Sequence, residues 1–169
     1  MQIIKYVTLF MILISSSYIG ILISKKYSNR VKELKEFKNA LNILSTQIKF
    51  TYEPIPTIFL QISERLKSNV GYIFKNAYDN METLNAGEAW EKAIDNSNIS
   101  LDKEDKNIIK NLSNLLGKVD LDGQIKEIEL VDNFLDIQIQ KAEEEKKKSE
   151  KLYKTLGITI GLVVVIILI

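Results

Sequence analysis

The chain has 169 residues, 23 of them basic and 22 acidic, for a formal net charge of +1, and it contains neither cysteine nor histidine. Those two absences exclude disulfides, thiol catalysis, zinc–thiolate sites and histidine acid–base chemistry. The near-neutral charge argues against a nucleic-acid binder, which meets phosphate with a basic surface.

The first predicted element is an uncharged run from Tyr6 to Ser24. A bilayer core about 30 Å thick needs roughly 20 apolar residues at about 1.5 Å rise each, so residues 1–25 read as a transmembrane segment. Lys5 and the small residues Ser15, Ser16 and Ser17 would also suit a cleaved leader. Against that stand Lys25, Lys26, Arg30, Lys32 and Lys35 directly after the run, because such a cluster resists translocation.

Residues 26–141 form one predicted helical bundle. Val31, Leu34, Phe37, Leu41, Leu44, Ile48 and Tyr52 recur every three or four residues, one stripe of a first helix leading away from the span. Pro54 and Pro56 end it, and Pro54 can serve as the first residue of a second helix with Ile55, Ile58, Phe59, Ile62 and Leu66 inward. A third helix after Asn69 carries Ile73, Phe74, Ala77, Met81 and Leu84. A fourth opens at Asn85 with Glu88 reaching back, a capping-box spacing, and buries Ala89, Trp90, Ala93 and Ile94. The acids between Ser100 and Asp105 suit the start of a fifth helix, expected to run through Ile108, Ile109, Leu112, Leu115 and Leu116 to a cap at Gly117. Asp120 to Gly123 makes a turn, and a sixth helix from near Gln124 shows Ile125, Ile128, Val131, Leu135 and Ile139 on one side.

That helix has no breaker afterwards. Residues 142–154 are almost wholly charged, with Glu143–Lys147, Glu144–Lys148 and Glu150–Lys154 spaced four apart, a solvated strut continuing into the last segment. Residues 155–169 carry no charge and the apolar run reaches the final residue, so the expectation is that the chain ends in a membrane. The run spans only if it begins near Leu152, with Tyr153 and Lys154 at the interface. Lys141, Lys146, Lys147, Lys148, Lys151 and Lys154 precede it, so both inner flanks are basic and the positive-inside rule puts residues 25–154 in the cytoplasm. Those residues hold 22 basic (23 less Lys5) and 22 acidic side chains, a formal charge of zero. The predicted fold class is therefore all-α: a six-helix cytoplasmic bundle between an N-terminal and a C-terminal transmembrane helix, with no strand signal.

No constellation in the sequence organises catalysis, so the chain reads as a non-enzyme without cofactor, metal or small-molecule substrate. Asp120 and Asp122 lack the bidentate glutamate that a calcium loop requires and read as a turn and cap. An enzyme would need carboxylates such as Asp79 and Glu82 buried together. Trp90 reads as a core anchor rather than an exposed contact, because Ala89, Ala93 and Ile94 share its face. Pro54 and Gly117 read as architectural. The corner Tyr52, Glu53 and Pro54, a loop between rigid elements, is the best interface candidate. The lysine run from Lys146 reads as a solvated face, with contact to acidic lipid heads as the alternative.

Gln47-Ile48-Lys49-Phe50-Thr51-Tyr52-Glu53-Pro54-Ile55, then Ala89-Trp90-Glu91, then Leu115-Leu116-Gly117 followed by Asp120 and Gln124 resemble, in order and spacing, the stage III sporulation protein AB family. Glu53 stands where that resemblance would place a small hydroxyl residue. The family is in turn similar to the cytoplasmic helical domain of the inner-membrane platform protein of type II secretion and type IV pili. The resemblance implies a scaffold in endospore formation, in the mother-cell membrane around the forespore, that helps assemble a channel complex. Its implied partners are a cytoplasmic secretion-type ATPase and other membrane subunits. The competing expectation is a membrane-tethered helical adaptor for division or envelope remodelling, self-associating through the stripe at residues 31–52.

Overall fold

A computed structural model of the chain describes residues 2–51, 53–114, 116 and 121–168. Tyr52, Gly117 and Asp120, three of the residues singled out above, lie outside these, as does the side chain of Asp122. Among the described residues the fold is all-α, with six helices: α1 (Gln2–Phe50), α2 (Ile55–Arg65), α3 (Asn69–Asn80), α4 (Ala86–Asp95), α5 (Lys103–Lys110) and α6 (Leu121–Leu168). The count of six includes both ends of the chain. No proline interrupts α1, so the apolar run and the first core helix are one 49-residue helix. Likewise the sixth core segment, the charged stretch and the terminal apolar run are one 48-residue helix.

The chain divides into two compact units, one formed by Met1–Val31 with Lys141–Ile169 and the other by Lys32–Gln140. In the larger unit α3 packs on both α2 and α4, and α4 packs on α5 and on the short 3-10 helix Asn111–Asn114. Trp90 is fully buried among Phe37 at 6.5 Å, Phe59 at 5.5 Å and Phe74 at 5.0 Å between ring centroids. Its indole Nε1 donates to the Ile109 carbonyl at 2.9 Å. Val31, Leu34, Phe37, Leu41, Leu44 and Ile48 of α1 are all buried, as are Ile128, Val131, Leu135 and Ile139 of α6.

Local chemistry sets the helix ends. Ser68 accepts from the Gly71 amide at the start of α3, and Asn85 accepts from the Glu88 amide at 2.9 Å at the start of α4. The reciprocal capping box forms at α5, where the side chains of Asp102 and Asp105 each accept from the other's amide. The α5 expectation needs a correction at its far end: the α-helix stops at Lys110 and the chain tightens into the 3-10 turn. Asn111, Ser113 and Asn114 are weak helix formers, and the Ile109 carbonyl, which a longer α-helix would offer to the Ser113 amide, is engaged by Trp90. A second correction concerns Pro54. It is the N-cap of α2 rather than its first residue, with φ −60° and ψ 142°, and Pro56 lies inside the first turn. The amide Pro56 lacks is among those a helix start leaves unbonded in any case.

One buried carboxylate ties three segments together. Glu33 on α1 is only 5 % exposed. It accepts from Asn69 Nδ2 at 3.1 Å and from the Ser100 amide at 2.6 Å, so the start of α3 and the approach to α5 both anchor on it. A half-buried cation plays the corresponding part between α1 and α6. Lys38 Nζ bridges Asp132 at 2.9 Å and Asp136 at 2.6 Å, two acids one turn apart that would otherwise repel. Burial lowers the Lys38 pKa, but the hydrogen bonds and charges of Asp136 and Asp132 outweigh it, leaving the amine above its ordinary value. A raised folded-state pKa gives stability that is present below the unfolded value near about 10.4 and is lost as pH rises through the folded one. Lys38→Met should therefore destabilise the protein by about 1 kcal/mol at neutral pH. Urea midpoints of the two forms, measured against pH, should converge at strongly alkaline pH.

In the smaller unit the two helices meet through small residues. A Cβ on Gly20 would lie 2.5 Å from the Tyr153 carbonyl oxygen and 3.3 Å from Gly157 Cα. Ser16 Oγ donates to the Gly157 carbonyl at 2.7 Å. Ser16, Gly20 and Ser24 recur every fourth residue on α1, and Gly157 and Gly161 do so on α6. Tyr27 stacks on Tyr153 at 5.9 Å, and Arg30 pairs with Glu145 at 2.6 Å. The large apolar side chains face outward instead, among them Phe10, Met11, Ile19, Leu162, Val163 and Ile166. Small residues inside and large apolar ones outside is the arrangement of helices packed in lipid, where close backbone approach replaces hydrophobic burial. Among the described residues, α1 is the one helix long and apolar enough to cross a membrane.

Candidate partner-binding site

The corner between α1 and α2 is built by its own side chains. The Thr51 amide and hydroxyl both donate to the Gln47 carbonyl, at 2.9 and 2.8 Å, closing the last turn of α1. Pro54 then holds the preceding residue out of helical geometry. Across the bend runs a chain of polar contacts: Gln47 Nε2 donates to Gln61 Oε1 at 2.7 Å, and Gln61 Nε2 donates to Glu53 Oε2 at 2.7 Å. Gln47 is buried and its own Oε1 has no partner among the described residues. Glu53 is half-buried and Pro54 exposed. Beside them Phe50 is 69 % exposed, with Lys49 Nζ 5.6 Å from its ring centroid. The result is a braced bend presenting an exposed aromatic ring, the type of side chain that anchors protein interfaces, beside a proline and a carboxylate.

The other residues singled out in the sequence are not part of this surface. Ile48, Trp90 and Leu116 are buried, and Gln124 is half-exposed in the first turn of α6. Asp79 and Glu82 are both exposed, and Asp79 pairs with Lys75. Among the described residues no acidic cluster is placed to hold a metal ion. Phe50, Gln47 and Gln61 complete the corner. Their sequence signal is faint: an aromatic at the last helical position before a proline bend, and two glutamines whose pairing appears only when α2 folds back.

The model of the family described as stage III sporulation protein AB matches residues 5–169. The chain belongs to the stage III sporulation protein AB family. One member, from Bacillus subtilis (strain 168), is 27% identical over 161 residues, covering 93% of this chain and 94% of that protein. A solved structure of a stage III sporulation protein AB superposes with a TM-score of 0.67 at 25% identity. It covers 71% of this chain and 98% of that one. The family match thus extends over the apolar ends as well as the helical body.

Proposed function

We propose that this protein is a non-enzymatic scaffold of the endospore-forming machinery, anchored by a two-helix membrane hairpin and presenting its helical body to the cytoplasm. The observation that carries the anchoring is the seam of Ser16, Gly20 and Gly157 inside outward-facing apolar residues. The second span is short, and the Tyr27–Tyr153 stack suits the headgroup level where aromatic residues collect. The role in sporulation rests on membership of the family. The absence of histidine and cysteine favours a body that transmits position or force over one that does chemistry.

In this reading the braced corner around Phe50, Glu53 and Pro54 contacts a cytoplasmic secretion-type ATPase, and the hairpin contacts neighbouring membrane subunits. The adaptor reading is less favoured, because the stripe it needs for self-association, from Val31 to Ile48, is core. A tagged segment of residues 27–150 should capture a secretion-type ATPase from lysate of sporulating cells. A Tyr52→Ala, Glu53→Ala double variant that keeps its helical circular dichroism should recover at least tenfold less, a change of about 1.4 kcal/mol. Capture of division or envelope proteins without an ATPase would overturn the assignment.

A further inference from the structure

The lysines of α6 carry a more specific assignment. Lys147, Lys148 and Lys151 are exposed and line a shallow groove with Leu152 and Thr155. At 3.6 residues per turn these side chains share one side of the helix. Gly157, buried against Ser16 and Gly20 of α1, and the buried Gly161 lie away from it. Below the groove the same side continues as Ile158, Leu162 and Ile166, all exposed. Above it stands one acid, Glu144.

We infer that this side of α6 binds an anionic glycerophospholipid, its phosphodiester headgroup held by Lys147, Lys148 and Lys151 and its acyl chains lying along Ile158, Leu162 and Ile166. Lys147 and Lys148 on one turn and Lys151 on the next set three amines along one side of the helix, and lysine meets a phosphate as a point charge. Anionic surface potential adds to that attraction. A zwitterionic lipid brings its own amine and gains little. Free phosphate would satisfy the amines and leave the apolar strip unused, so the lipid is the occupant that uses both halves. Glu143 and Glu144 stand four residues before Lys147 and Lys148, and pairs at that spacing near the surface are weak and leave an ammonium donors to spare.

The inference rests on the membrane-hairpin reading, and two measurements on the full-length chain separate them. Flotation with phosphatidylcholine vesicles tests the hairpin. Native mass spectrometry from detergent, with phosphatidylglycerol titrated against phosphatidylcholine, tests the site. Phosphatidylglycerol should be retained in preference, and the preference should fall about fivefold per lysine, on the order of a hundredfold in the Lys147→Gln, Lys148→Gln, Lys151→Gln variant. The corresponding triple arginine variant should keep it, showing that charge rather than folding is at stake. Equal retention of both lipids by the parent, or displacement of phosphatidylglycerol by inorganic phosphate, would overturn the lipid site while normal flotation left the hairpin standing. Failure to float would remove both.

Discussion

Trp90→Ala is expected to unfold the helical body. The side chain is fully buried, three phenylalanine rings contact it, and its indole holds the Ile109 carbonyl at the end of α5. Truncating a buried aromatic costs about 3–5 kcal/mol, and losing the indole hydrogen bond adds about 0.5–1.5 kcal/mol. Single domains have about 5–15 kcal/mol of stability in total. Circular dichroism of the 27–150 segment should show most of the helical signal lost at 37 °C in ordinary buffer. Trp90→Phe keeps a ring in the cluster but removes the donor. It should remain folded with a lower urea midpoint, and a midpoint equal to the parent's would show that the indole bond contributes nothing.

Gly71→Ala should also be strongly destabilising, against the usual sign. In an ordinary helix the change from glycine to alanine adds about 1 kcal/mol. Here a Cβ would overlap the Leu66 carbonyl oxygen, a backbone atom already accepting from the Ser68 amide at 2.8 Å. Neither can retreat without opening the turn between α2 and α3, so the expected loss is at least the 1–3 kcal/mol of an overpacked site, or about 3 kcal/mol. Asn76→Ala, exposed on the same helix, should instead be neutral or raise stability by about 0.5 kcal/mol. The thermal midpoint should fall for Gly71→Ala and hold or rise for Asn76→Ala.

These two residues illustrate what the sequence made legible. Trp90 shares a face with Ala89, Ala93 and Ile94, and helical periodicity alone puts that face inward. Periodicity also places the stripes of α1 and α6, Asn85 marks the start of α4, and the acids before Asp105 mark that of α5, whereas the Ser68 cap of α3 went unread. Gly71 is different, because nothing around it in the sequence announces that a carbonyl from the previous turn will rest on it. The end of α5 is hidden for a related reason, since it depends on a bond from a tryptophan on another helix. Glu33 looks like any surface acid until Asn69 and Ser100 arrive to bond it. At the candidate site, proline chemistry marks the bend, whereas the Gln47–Gln61–Glu53 chain needs the folded α2. In the apolar ends, length carries the membrane reading, whereas the seam of Ser16, Gly20 and Gly157 appears only when the two helices meet.

Membrane topology tests the central claim most directly. The chain has no cysteine, so single replacements can be labelled without background. Tyr72→Cys, at a position 71 % exposed on the helical body, and Gln2→Cys, ahead of the first apolar run, should be expressed in non-sporulating cells, where no engulfing membrane encloses the outer face, and treated with a membrane-impermeant maleimide before and after permeabilisation. The hairpin account predicts labelling of Gln2→Cys in intact cells and of Tyr72→Cys only after permeabilisation. Labelling of Tyr72→Cys in intact cells, or recovery of either variant in the soluble fraction, would contradict it.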